Sequence, residues 1–76
     1  MRTREMMVKI RMYRDGAMSY YNSAASDMPW AHHTVTTLLG EGTMSQAGEK
    51  LGYSRSLIRD HVVSLYNRLN MEEQAP

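Results

Sequence analysis

Cysteine is absent from the 76 residues, which excludes disulfides and thiolate metal sites. No apolar run approaches the roughly 20 residues of a membrane-spanning helix, and no signal-peptide pattern opens the chain. A soluble, cytoplasmic protein is therefore expected, with no membrane among its partners. Catalytic patterns are lacking too. The serines form no nucleophile elbow, and no glycine-rich loop is present to cradle a phosphate. His32 and His33 are adjacent, so on a helix they point about 100° apart and cannot grip one metal from a single face. His61 lies far along the chain without an obvious carboxylate pair. Neither an enzyme nor a cofactor is expected. Phenylalanine is absent while methionine occurs eight times, a composition that gives an adaptable core or a protein-binding surface.

What the chain does contain is helical periodicity. Ile58, Val62, Leu65 and Leu69 recur at i, i+4, i+7 and i+11, an inward stripe of about three turns. Ser54 stands where an N-cap belongs, and Arg55, Ser56, Arg59 and Asp60 lie off the stripe in the first two turns. Upstream, Thr43 precedes Gln46 by three, the spacing of a capping box. Met44, Ala47 and Leu51 then share one face, leaving Glu49 and Lys50 for solvent. Gly48 is poor in a helix interior by roughly 1 kcal/mol, and it implies the close approach of another helix. Gly52 supplies the permissive backbone of a sharp turn. Two short helices joined by Leu51-Gly52-Tyr53-Ser54 make a helix-turn-helix pattern, and the second presents polar and basic side chains suited to a major groove.

The run from Thr43 to Leu69 resembles the promoter-reading helix-turn-helix of bacterial sigma factors. The shared positions are Thr43-Met44, Gly48, Gly52-Tyr53-Ser54-Arg55 and Ile58-Arg59. It is also similar to the LuxR-type module, with LLGEG leading in and His61 near the middle of the reading helix, although the link from Gly42 to Leu51 is one residue shorter than in that module. Ser54-Arg55-Ser56 resembles the DNA-binding ends of serine invertases and resolvases. The resemblance covers about 32 of the 76 residues. It implies double-stranded DNA as the partner, with Thr43, Ser45, Gln46, Ser54, Arg55, Ser56, Arg59 and Asp60 as contact residues and Arg59 foremost. It equally fits a small adaptor that engages RNA polymerase or a sigma factor. A compact transcription regulator of a phage or another mobile element would suit either role.

A second pattern lies upstream. At an offset of 23, Ala24-Ala25 matches Ala47-Gly48, Met28-Pro29-Trp30-Ala31 matches Leu51-Gly52-Tyr53-Ser54, and Thr34-Val35 matches Leu57-Ile58. Two readings are open. In one, two helix-turn-helix units stand in tandem: Ser19 to Met28 is a support helix, Pro29-Trp30 is the turn, and His32, His33, Thr36 and Thr37 form a second reading surface. The helix from His32 to Leu39 would then be shared with the downstream unit. In the other, Pro29 takes the first position of an ordinary helix, Asp27 lies near its cap, and Trp30, Val35 and Leu38 pack as core.

The first segment reads as a packing helix, with Met6, Ile10, Tyr13 and Ala17 on one face, Thr3 as its cap and Asp15-Gly16 as its stop. Arg2, Arg4, Lys9, Arg11 and Arg14 against Glu5 and Asp15 leave a balance of +3 here, in a chain whose net charge is +1. Next to a helix-turn-helix, such a basic exterior suits phosphates. The expected fold is therefore all-α, a small helix-turn-helix bundle of four to five helices in one domain over residues 1–76. In the tandem reading a first unit would be 3–39, the stronger second unit is 34–71, and 72–76 is a flexible tail. A single core of this size is marginal, and one module of near-neutral charge makes few phosphate contacts. Both considerations point to a homodimer.

Overall fold

The computed structural model describes residues 2–16 and 18–74. Five helices follow one another: α1 (Thr3–Gly16), α2 (Met18–Asp27), α3 (Pro29–Glu41), α4 (Met44–Leu51) and α5 (Arg55–Gln74). No strand occurs among the described residues, and the all-α expectation holds. No helix among them is long and apolar enough to cross a membrane. At 20 residues, α5 is about 30 Å long in a domain measuring 39 Å along its longest axis. Each of the other four helices packs against it.

The reason lies in the α5 stripe. Ile58, Val62, Leu65 and Leu69 are all 0% exposed, and each neighbour contributes its own apolar face to cover them. Met6, Ile10 and Tyr13 come from α1, Tyr21 and Ala24 from α2, Ala31, Val35 and Leu38 from α3, and Ala47 from α4. Met44 and Leu51, the flanking members of the α4 stripe, are half-buried. Ala17, assigned to the α1 stripe, lies outside the described residues, as do 75 and 76. Residues 72–74, within the expected tail, are the last residues of α5. Glu72 there pairs with Arg68 one turn back and accepts a hydrogen bond from Ser23 Oγ at 3.1 Å.

Three contacts fix the direction of α1. Arg59 reaches Thr3, the Lys9 ammonium lies 5.9 Å from the centre of the Tyr66 ring, and the Tyr13 hydroxyl donates to Asn70 Oδ1 at 3.1 Å. Residue numbers rise together on both helices, so α1 runs parallel to α5. In contrast, α2 runs antiparallel, with Ser23 bonded to Glu72 and Asp27 to Arg68.

At the junction of α2 and α3, the structure takes the second of the two readings. Only Met28 separates the helices, and Pro29 occupies the first turn of α3, where its missing N–H costs nothing. Pro29-Trp30 is therefore helical and forms no turn, and the support helix spans Met18–Asp27. Two details of that reading differ. Asp27 is drawn to Arg68 on α5, and Met28 precedes α3 with no side-chain cap. Trp30 is 50% exposed and sits at the margin of the core. Gly42, at φ +89°, ends α3, its N–H bonded to the Leu38 carbonyl. The backbone turn from α3 into α4 thus depends on a residue without a side chain.

If the α5 stripe is the shared wall of the domain, Ile58→Ala and Leu65→Ala should each cost about 2 to 5 kcal/mol. Thermal unfolding followed by circular dichroism is expected to show a large drop in melting temperature for both. Wild-type melting of either variant would contradict the burial.

Candidate nucleic-acid interface

The unit of α4, turn and α5 is built by local chemistry that the sequence displays. Thr43 has extended backbone, and its hydroxyl accepts the Gln46 backbone N–H at 3.2 Å, which supplies one of the donors left orphan at a helix start. The Gln46 side chain closes the box differently from expectation: its Oε1 accepts the Thr43 hydroxyl proton at 3.0 Å. Gly52, at φ +72°, ends α4, its N–H bonded to the Gly48 carbonyl at 2.8 Å. Tyr53 N–H donates to the same carbonyl at 3.2 Å. Ser54 then caps α5, its Oγ accepting the Leu57 N–H at 3.2 Å.

Gly48 lies where this turn packs most closely on α4. A Cβ there would lie 3.0 Å from the Tyr53 carbonyl oxygen and 3.6 Å from Ile58 Cδ1. The close approach inferred from sequence is therefore made chiefly by the backbone of the turn, with the α5 side chain behind it.

His61 ties the turn to the rest of the domain. The buried Thr34 hydroxyl donates to the Trp30 carbonyl at 3.2 Å and lies 2.6 Å from His61 Nδ1. The hydroxyl and Nδ1 thus form a side-chain hydrogen bond between α3 and α5, in which either can donate according to the tautomer of the imidazole. The imidazole is flanked edge-on by Trp30, with ring centres 4.9 Å apart, and by Tyr53 at 5.7 Å. Tyr53 belongs to the turn and Thr34 to α3. Nothing in the sequence joined these residues, which are up to 27 positions apart.

Thr43, Ser45, Gln46, Ser54, Arg55, Ser56, Arg59 and Asp60 are all exposed. Thr3, Met44, Arg55, Ser56 and Arg59 line one depression of about 250 Å³. The first turn of α1, the first turn of α4 and the first two turns of α5 thus meet on a single surface. Arg59 donates from Nη1 to Thr3 Oγ1 at 2.7 Å. Thr3, read from sequence as the α1 cap, is instead the first helical residue and holds this guanidinium.

The proposed second surface does not join the first. His32 is half-buried, edge-on to the Tyr21 ring at 5.0 Å. Thr37 is half-buried and donates to the His33 carbonyl. His33 and Thr36 are exposed, and the Thr36 hydroxyl lies 3.4 Å from that of Tyr21. By helical geometry both stand about 150° around α3 from its buried face, which packs on α5. They therefore lie off the side of α3 that packs on α5, with Thr36 turned toward α2.

Another basic side chain is committed elsewhere. Arg68 bridges Asp27, Glu72 and Ser23 at the far end of α5. Its guanidinium is held above the ordinary arginine value by the hydrogen bond to Asp27 and then by that to Glu72. Among the described residues, no group of His, Asp and Glu is placed to hold a metal ion. No known protein family matches the chain, and no curated protein or solved structure is found to be similar to it.

The His61 link makes a stability prediction. Thr34→Val keeps the shape but removes the hydroxyl bonded to Nδ1, and should lower stability by about 1 to 2 kcal/mol. In a double-mutant cycle with His61→Ala in urea, the two changes should be non-additive. Additive losses would show that the bond contributes nothing.

Proposed function

We propose that this protein is a sequence-specific regulator of transcription that binds double-stranded DNA, laying the first two turns of α5 in the major groove. The observation that carries this reading is the exposed set of Arg55, Ser56, Arg59 and Asp60 on the capped start of α5, with α4 braced across it by Gly48 and Gly52. An α-helix fits the major groove of B-form DNA, and a guanidinium can bond both acceptors of a guanine edge. Arg59 would leave Thr3 to make such a pair of bonds. Asp60 can accept from a cytosine amino group, and Ser56 can serve either base. The start of α4, with Ser45 and the Thr43–Gln46 cap, would lie on the adjoining phosphates.

Net charge limits the affinity of one copy. At +1 overall, a monomer neutralises few phosphates, and a homodimer would double both the contacts and the length of the site. Arg2, beside Thr3 at the start of α1, would extend the phosphate contacts at the edge of each half-site.

Arg59→Ala is expected to weaken specific binding by roughly 1 to 3 kcal/mol and to relax the preference at one base pair. The measurement is binding-site selection followed by quantitative gel shift, with melting unchanged as the control for folding. Equal affinity and an identical consensus would remove α5 from the interface.

The double change His33→Ala/Thr36→Ala tests the tandem arrangement. It is expected to leave the selected consensus unaltered, because these side chains lie off the side of α3 that packs on α5. A changed preference at one end of the site would reinstate the second reading surface.

A further inference from the structure

Beside the depression at the start of α5 lies a larger groove of about 530 Å³, enclosed by α1 on one side and by the junction of α3 with α4 on the other. Its floor is apolar, formed by Met7, Val8, Leu38, Leu39 and Met44. Val8 is 56% exposed there. Two arginines, Arg4 and Arg11, stand exposed at the α1 rim. They are seven residues apart on one side of the helix, about 10.5 Å along its axis. No carboxylate lines the groove. Among the described residues neither arginine enters an ion pair, whereas Arg14, Lys50 and Arg68 each do.

We infer that this groove is a docking site for an acidic amphipathic helix of a partner protein. The charge pattern selects the occupant: unpaired guanidiniums two turns apart call for carboxylates at i and i+7 of a facing helix, each able to take a bidentate bond. Between them, the residues at i+3 and i+4 of the same helix would enter the apolar floor, as in other helix-in-groove contacts. Methionines at two positions of the floor let it adapt to the shape of those side chains. A phosphate backbone would satisfy the arginines but leave the exposed Val8 and the half-buried Met7, Leu39 and Met44 without cover. The groove shares Thr3 and Met44 with the depression at Arg55 and Arg59, so a docked helix would sit directly beside the surface assigned to DNA.

The comparison of peptides uses the whole chain without DNA, so its outcome is separate from that of the DNA reading. A fluorescein-labelled, hydrocarbon-stapled peptide carries two glutamates seven positions apart around a leucine pair, and a second peptide has lysines in place of the glutamates. In fluorescence anisotropy the glutamate peptide is expected to bind saturably, and the lysine peptide at least roughly tenfold more weakly. The Arg4→Glu/Arg11→Glu chain should reverse that order, and Val8→Asp should abolish binding of both. All three positions are exposed, and melting curves check that the variants fold; the comparison of the two peptides on the unaltered chain needs no variant.

Equal binding of the two peptides, or no binding of either, overturns the proposal. So does displacement of the glutamate peptide by random-sequence duplex from an Arg55→Ala/Arg59→Ala chain, which would make phosphate the occupant. Sedimentation showing a dimer that Arg4→Glu/Arg11→Glu dissociates would also overturn it, by giving the groove to a second copy.

Discussion

One apolar stripe on α5 organises this domain. Ile58, Val62, Leu65 and Leu69 offer a continuous surface that no single neighbour covers, so α1, α2, α3 and α4 each bury part of it. Hydrophobic burial has no direction of its own. The polar contacts at the margins therefore set how each helix lies: Thr3, Lys9 and Tyr13 align α1, while Asp27 and Ser23 align α2. The small residues Ala24, Ala31 and Ala47 at the inner faces of three of these helices leave room for the bulkier side chains of α5.

The same helix is given two duties. Its stripe holds the core, and its first two turns carry the polar side chains of the candidate interface. His61 stands between these parts, tied to Thr34 on α3 and packed against Tyr53 in the turn. A displacement of the turn would therefore disturb a buried hydrogen bond. The start of α5 is in this way tied to α3 as well as to α4.

Local signals were legible in the sequence. The caps at Thr43 and Ser54, the turn at Gly52, the α5 stripe and the helical position open to Pro29 each follow from the chemistry of one residue and its near neighbours. Links between distant residues were not. Thr3 looked like a cap, but its hydroxyl serves Arg59, 56 positions away, and no periodicity reveals such a pairing. Asp27 looked like part of a helix start, but a guanidinium on another helix draws it away. The i,i+4 spacing of Arg68 and Glu72 is a recognisable helical pair, yet Asp27 and Ser23 enter it only through the fold. The offset-23 resemblance was a likeness of residues without a likeness of backbone: Gly52 takes a left-handed conformation, which proline at position 29 cannot adopt. For the interface itself, the exposure of Arg55, Ser56, Arg59 and Asp60 was legible, whereas the meeting of α1 with α4 and α5 around them was not.

The parallel course of α1 and α5 bears on how the domain is made. Met6, Ile10 and Tyr13 find their cover on a helix that begins only at Arg55, so a segment synthesised earlier must wait for one synthesised later before its apolar face is closed. Contacts of such sequence separation impose a loop-closure cost ahead of their reward. Until Asn70 has emerged from the ribosome, the pairing of Tyr13 with Asn70 does not exist, and α1, α2 and α3 lack the surface they share. Folding of this bundle is in that sense deferred to the end of α5, with the nascent chain left to keep its methionine-rich helices out of other associations in the meantime.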